Sequence, residues 1–213
     1  MITTAALRRL ALAGDADAQF RMGYRLTWGR NPRRRWPEAA EWWKRAADQG
    51  HVRAMFYPGT CYEHGHGVPR SERLAIRCYR QAARRGHADS QYNIGFSYLN
   101  GAGLPRNDRL AVAWFTKAAK QDLPDALRDV GWCFFYGVGV RRNWQSAVRC
   151  YRRAARQGDA MALLNLGLCY QEGEGVRRSQ AIARRYFQRA ARAGNKKAKR
   201  LLSRTSLAKQ RKS

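Results

Sequence analysis

Small and apolar residues return along this chain in two alternating helical registers. In residues 88–100, Ser90, Ile94, Gly95 and Tyr98 fall three or four positions apart, the spacing that gathers side chains on one helix face. Gly101 and Gly103 follow and predict the end of that helix, because glycine takes backbone angles that other residues avoid. Asn107 then stands where an N-cap belongs, and Ala111, Trp114, Phe115, Ala118 and Ala119 form a second helical stripe. Paired alanines at its end let two helices approach closely. Residues 87–122 thus predict a helix–turn–helix hairpin.

The hairpin recurs at a fixed interval. Gly23, Gly59, Gly95, Gly131 and Gly167 are each 36 residues apart, as are the alanine pairs that begin at Ala46, Ala82, Ala118, Ala154 and Ala190. A third set, Gly14, Gly50, Gly86, Gly158 and Gly194, keeps the same interval with Asp122 in its one non-glycine place. Ser71, Asn143 and Ser179 match Asn107. A period of this length marks stacked units that bury their apolar faces only against their neighbours. The units run 14–49, 50–85, 86–121, 122–157 and 158–193. Residues 1–13 predict the second helix of an incomplete leading unit, and 194–203 the first helix of a trailing one. Both would act as caps on a single elongated domain, 1–203, with a basic tail at 204–213. Asn31, Pro32 and Pro37 around Arg33, Arg34 and Trp36 predict an altered turn in the first unit, and Pro58 predicts a kinked helix in the second.

Two strings carry the pattern. Gly59-Thr-Cys-Tyr62-Glu-His-Gly65-His-Gly67-Val68 shows one, and Ala111-Val-Ala-Trp114-Phe115-Thr-Lys-Ala118-Ala119 the other. Together they resemble the Sel-one-like repeat (SLR), a glycine-bearing relative of the tetratricopeptide repeat, over about five units. The resemblance implies an all-α fold, a right-handed α/α superhelical solenoid, with first helices lining the concave side and second helices the convex wall. It also implies adaptor or assembly-factor work, of which a cognate inhibitor or immunity-type protein is one form.

Charge sharpens the expectation. The chain is 45% hydrophobic, enough for a packed interior, yet carries 42 Lys and Arg against 15 Asp and Glu, a net +27. Such an excess favours acidic partners. It gathers on second helices, at Arg77, Arg80 and Arg84, then Arg149, Arg152 and Arg153, then Arg184 and Arg185, and on Lys196 and Lys197 beyond them. Turns add Arg70, Arg106, Arg141, Arg142, Arg177 and Arg178. First helices differ: their groove positions read Tyr24, Trp28, Tyr57, Asn93, Phe96, Asn100, Asp129, Trp132, Tyr136 and Asn165, a nearly neutral set of aromatics and amides. That composition suits protein recognition. The leading expectation is a protein–protein scaffold whose groove binds a protein segment and whose basic face favours an acidic partner. The alternative is a nucleic-acid-associated protein that grips phosphate through the arginine stripe and tail.

Reaction chemistry is not evident. No serine sits in a nucleophile elbow, and the turn glycines lack the Gly-Lys-Ser/Thr string of a phosphate loop. No enzyme, cofactor or small-molecule substrate is therefore expected. Cys61, His64 and His66 lie close together but want a fourth ligand, so no metal site is expected. Cys61 and Cys78 are 17 apart, as are Cys133 and Cys150. Each pair reads either as a disulfide within one hairpin or as reduced core thiols, Cys169 standing alone in both cases. No apolar run is long enough to cross a membrane, and the opening MITTAALRRLALAG is too short and too interrupted for a secretory signal, so a cytoplasmic location is expected.

Overall fold

The computed structural model describes residues 2–27 and 35–210, with side chains through Ser203. The expectations placed on Trp28, Asn31, Pro32, Arg33 and Arg34 lie outside these residues. Twelve helices and no strand occur among the described residues, in two compact units. The first unit, Met1–Arg106, holds α1 (Thr4–Leu12), α2 (Ala16–Thr27), α3 (Trp36–Asp48), α4 (Val52–His64), α5 (Glu72–Arg84) and α6 (Ala88–Asn100). The second, Asn107–Ser213, holds α7 (Asp108–Lys120), α8 (Pro124–Tyr136), α9 (Trp144–Arg156), α10 (Ala160–Glu172), α11 (Gln180–Arg192) and α12 (Lys196–Gln210). Within each unit every helix packs on its chain neighbours, so the architecture is an α/α solenoid of hairpins. Even-numbered helices are the first of each hairpin.

The periodic glycines of the first helices have a steric cause. A Cβ on Gly59 would lie 2.5 Å from the Tyr79 ring, and one on Gly131 would lie 2.6 Å from the Tyr151 ring. Trp43 covers Gly23, and Phe187 covers Gly167, in the same way. These four hairpins thus set one ring of the second helix against a glycine of the first. Tyr79, Tyr151 and Trp43 are almost wholly buried, and burying a side chain of this size contributes roughly 1.5–3 kcal/mol. The first alanines of the pairs, Ala46, Ala82, Ala118, Ala154 and Ala190, are fully buried.

The turns are built alike. The Gly137 amide donates to the Cys133 carbonyl at 2.8 Å, and the Asn143 amide closes the loop on Phe134 O at 2.8 Å. Gly139, at φ +67°, sits so close to the Asp108 backbone that a side chain could not enter. The Gly67, Gly103 and Gly175 loops lean in the same way on the first turn of the preceding second helix. Asp122, at φ 59°, takes the left-handed place that glycine holds in other units. Its carboxylate meets Arg153 at 2.6 Å.

α4 is a continuous helix that holds Pro58 inside it and packs between α3 and α5. α12 continues to Gln210, past the expected start of the tail, because no glycine or proline interrupts residues 196–210.

Candidate protein-binding surface

Most large rings are turned inward, which makes the exceptions informative. Among the described residues the exposed aromatics are Tyr24 (41%), Phe96 (47%), Trp132 (37%) and Tyr136 (63%), all on first helices. In the second unit Trp132 and Tyr136 lie one turn apart on α8 with ring centroids 5.5 Å apart, and Phe135 meets Tyr136 edge-on at 4.9 Å. Asp129 begins the same stripe, half-buried and held by the Arg128 guanidinium at 2.9 Å. Asn165, on α10, is half-buried.

In the first unit the groove positions divide. Tyr57 is half-buried, stacked on Trp43 at 4.5 Å and tilted against Phe20 at 5.6 Å, and burial raises its hydroxyl pKa. It belongs largely to the core. Tyr24 lies at its edge, 6.2 Å away. Asn93 is half-buried beside the Tyr79 hydroxyl. Phe96 and Asn100 are exposed, and the Asn100 amide donates to Phe96 O at 3.0 Å.

Eight of the ten basic residues lie on second helices and Lys196 and Lys197 on α12, and all ten are exposed. Arg149 donates to Ser146 Oγ at 2.7 Å, Arg152 to the Tyr170 hydroxyl at 2.8 Å and Arg153 to Asp122. Arg77, Arg80, Arg84, Arg184, Arg185, Lys196 and Lys197 make no ion pair among the described residues. The scarce acids of the second unit are spent elsewhere. Arg128 alone engages Asp125, Asp129 and Asp159. Of these ten basic residues, only Arg153 meets a carboxylate among the described residues.

The cysteines are free thiols. Burial pushes the Cys61, Cys133 and Cys169 thiols up to about 12, and raises Cys78 and Cys150 as well, so thiolate nucleophiles are disfavoured. Two histidines do work that sequence reasoning missed. His51 and His87 are N-caps: their Nδ1 atoms accept from the Ala54 and Ser90 amides at 3.1 and 3.2 Å. Asp15, Asp159 and Asn195 repeat that cap at the same interval, a signal visible in the sequence. His66 stacks on Trp36 at 4.5 Å. Among the described residues no group of three His, Cys, Asp or Glu could hold a metal ion, and no helix is long and apolar enough to cross a membrane.

Hairpins that set a ring on a glycine, with turn glycines and no strand among the described residues, define the class of tetratricopeptide-like helical-repeat proteins. The Sel1 repeat family model matches residues 16–51, 52–87, 88–123, 124–159 and 160–195, and the chain belongs to that family. A protective antigen of uropathogenic Escherichia coli with an SLR fold superposes with a TM-score of 0.87 at 32% identity, over 93% of this chain and 42% of its own. A Sel1 repeat protein from Oxalobacter formigenes gives 0.86 at 28%, over 95% and 58%. An immunity protein of Pseudomonas aeruginosa gives 0.58 at 25%, over 86% and 67%. This chain thus spans less than two thirds of the first two. No curated protein matches it. Sel1-repeat proteins generally mediate protein–protein interaction and are generally non-catalytic.

Proposed function

We propose that this protein is a non-enzymatic scaffold that seats a segment of a partner protein on its first helices, with the basic second-helix faces selecting an acidic partner. One observation carries the reading: every exposed aromatic ring among the described residues lies on a first helix. Trp132, 37% exposed, and Tyr136, 63% exposed, forgo part of a burial worth roughly 1.5–3 kcal/mol per side chain, and rings of this kind are the usual anchors of protein interfaces. Tyr24, Phe96 and Trp132 also share one place in the repeat, which Thr60 and Leu168 fill in the other two units. An inhibitor of its bound partner is one form of this role, and one structural neighbour is an immunity protein of Pseudomonas aeruginosa.

The test selects ligands from a random displayed-peptide library and titrates the best against the full chain. Trp132→Ala with Tyr136→Ala is expected to weaken binding by about tenfold or more, while circular dichroism stays unchanged. Full binding by the folded double variant contradicts the reading. Preferential capture of duplex DNA over every selected peptide favours phosphate binding instead.

A further inference from the structure

The hairpin loops of the second unit carry a feature that the first-helix stripe does not use. Between α9, the end of α10 and the start of α11 lies an open cleft of ≈ 670 Å³, walled by Arg152, Tyr170, Val176, Arg177, Arg178 and Ile182. Arg152 is steadied by the Tyr170 hydroxyl at 2.8 Å, and Arg178 Nε by the Gln171 carbonyl at 2.9 Å. Both acceptors are neutral, so each guanidinium is positioned without losing its charge. Arg177 has no partner among the described residues. No carboxylate lines the cleft. Glu172, the nearest acid on α10, accepts from Gln171 Nε2 at 2.7 Å, and Glu174 stands between the loop glycines.

One hairpin earlier the arrangement repeats. A cleft of ≈ 570 Å³ there is lined by Phe134, Arg141, Arg142 and Trp144, again without an acid, and the Arg142 guanidinium lies over the Trp144 ring at 4.9 Å. Arg141, Arg142 and Phe134 hold the places of Arg177, Arg178 and Tyr170 in the next unit. Each station also has apolar wall. Ile182 is 36% exposed at the mouth of its cleft; in the earlier cleft Ser146 takes the place of Ile182, and Phe134 and Trp144 supply the apolar wall.

We propose that this loop edge is a second docking surface, and that its occupant is an acidic peptide segment with aliphatic residues set between its carboxylates. The proposal rests on the scaffold reading for the ligand being a protein, and it places the acidic contact at the loops. Pre-positioned guanidiniums suit bidentate carboxylate recognition. The apolar walls separate this ligand from a nucleic-acid backbone, which would leave Val176, Ile182 and Phe134 uncovered.

Fluorescence anisotropy at about physiological salt tests this with three probes: a labelled peptide alternating Glu and Leu, one of equal charge alternating Glu and Ser, and a short DNA duplex. The Glu/Leu peptide is expected to bind most tightly. Arg177→Gln with Arg178→Gln is expected to weaken it by about tenfold. Ile182→Ser is expected to weaken it by about threefold and to leave the Glu/Ser peptide unmoved. Arg156→Gln with Arg192→Gln removes the same charge at the far ends of α9 and α11 and is expected to change binding less than about twofold. Trp132→Ala with Tyr136→Ala is expected to leave this binding intact, so failure here and failure of the first-helix reading are told apart. Equal losses in the two arginine pairs, or tighter binding of DNA with no effect of Ile182→Ser, overturn the proposal.

Discussion

A methyl group at Gly131 would meet the Tyr151 ring at 2.6 Å, and neither can yield within a fully packed hairpin. Gly131→Ala is therefore expected to destabilise by about 1–3 kcal/mol, read by urea denaturation. In a Tyr151→Leu background the same substitution is expected to cost less, and an additive cycle would remove the ring from the explanation. Gly158, at φ +86°, has open space around it, so Gly158→Ala is expected to cost only the backbone term of about 1–2 kcal/mol. His87 supplies a pH signature. Burial holds its pKa below the ordinary value, Arg53 adds to that and Asp89 opposes it. The folded state then binds the proton less well than the unfolded chain, so stability is retained above about pH 6.5 and lost as pH falls below it. Protonation also removes the Nδ1 acceptor that caps α6. His87→Asn keeps a cap and is expected to flatten the decline between neutral pH and the carboxylate range. An unchanged slope would place the loss elsewhere.

At the scale of the element, the helices were legible because small and apolar spacing, turn glycines and the Ser/Asn caps of second helices all point one way. α6 occupies the span that Ser90, Ile94, Gly95 and Tyr98 predict. The glycine–ring seat was not legible, because spacing shows that Gly131 recurs and that Tyr151 recurs but not that one lies on the other. First-helix caps were overlooked for a different reason: histidine is not among the usual capping residues, which hid the match of His51 and His87 to Asp159 and Asn195. α8 is the exception among these helices, entering through Leu123 with no side-chain cap before Pro124. Leu123→Asn is expected to stabilise the fold by about 0.5–1 kcal/mol. Asparagine is the better choice over aspartate, since Asp122 and Asp125 already crowd that turn. A fall in the denaturation midpoint would show that the apolar contact of half-buried Leu123 outweighs the cap.

Across the whole molecule, a net +27 on a chain whose carboxylates are concentrated on a few arginines predicts self-repulsion. Raising salt from about 20 to about 300 mM is expected to raise the thermal midpoint by a few degrees; a flat or falling midpoint would mean that the arginines are compensated. The repeat period made the solenoid readable from residues alone. The candidate face was only partly readable, since helical spacing gives a ring's register and not its cover: Tyr57 and Trp132 looked alike, yet Tyr57 packs on Trp43 while Trp132 is partly exposed. The most direct measurement of which wall a partner uses is site-specific photocrosslinking to a selected peptide, with a benzophenone side chain replacing either Tyr136 on α8 or Gln188 on α11. Strong crosslinking from position 136 with only background from position 188 is the expected result. Equal yields, or crosslinking from position 188 alone, would contradict a partner seated on the first helices.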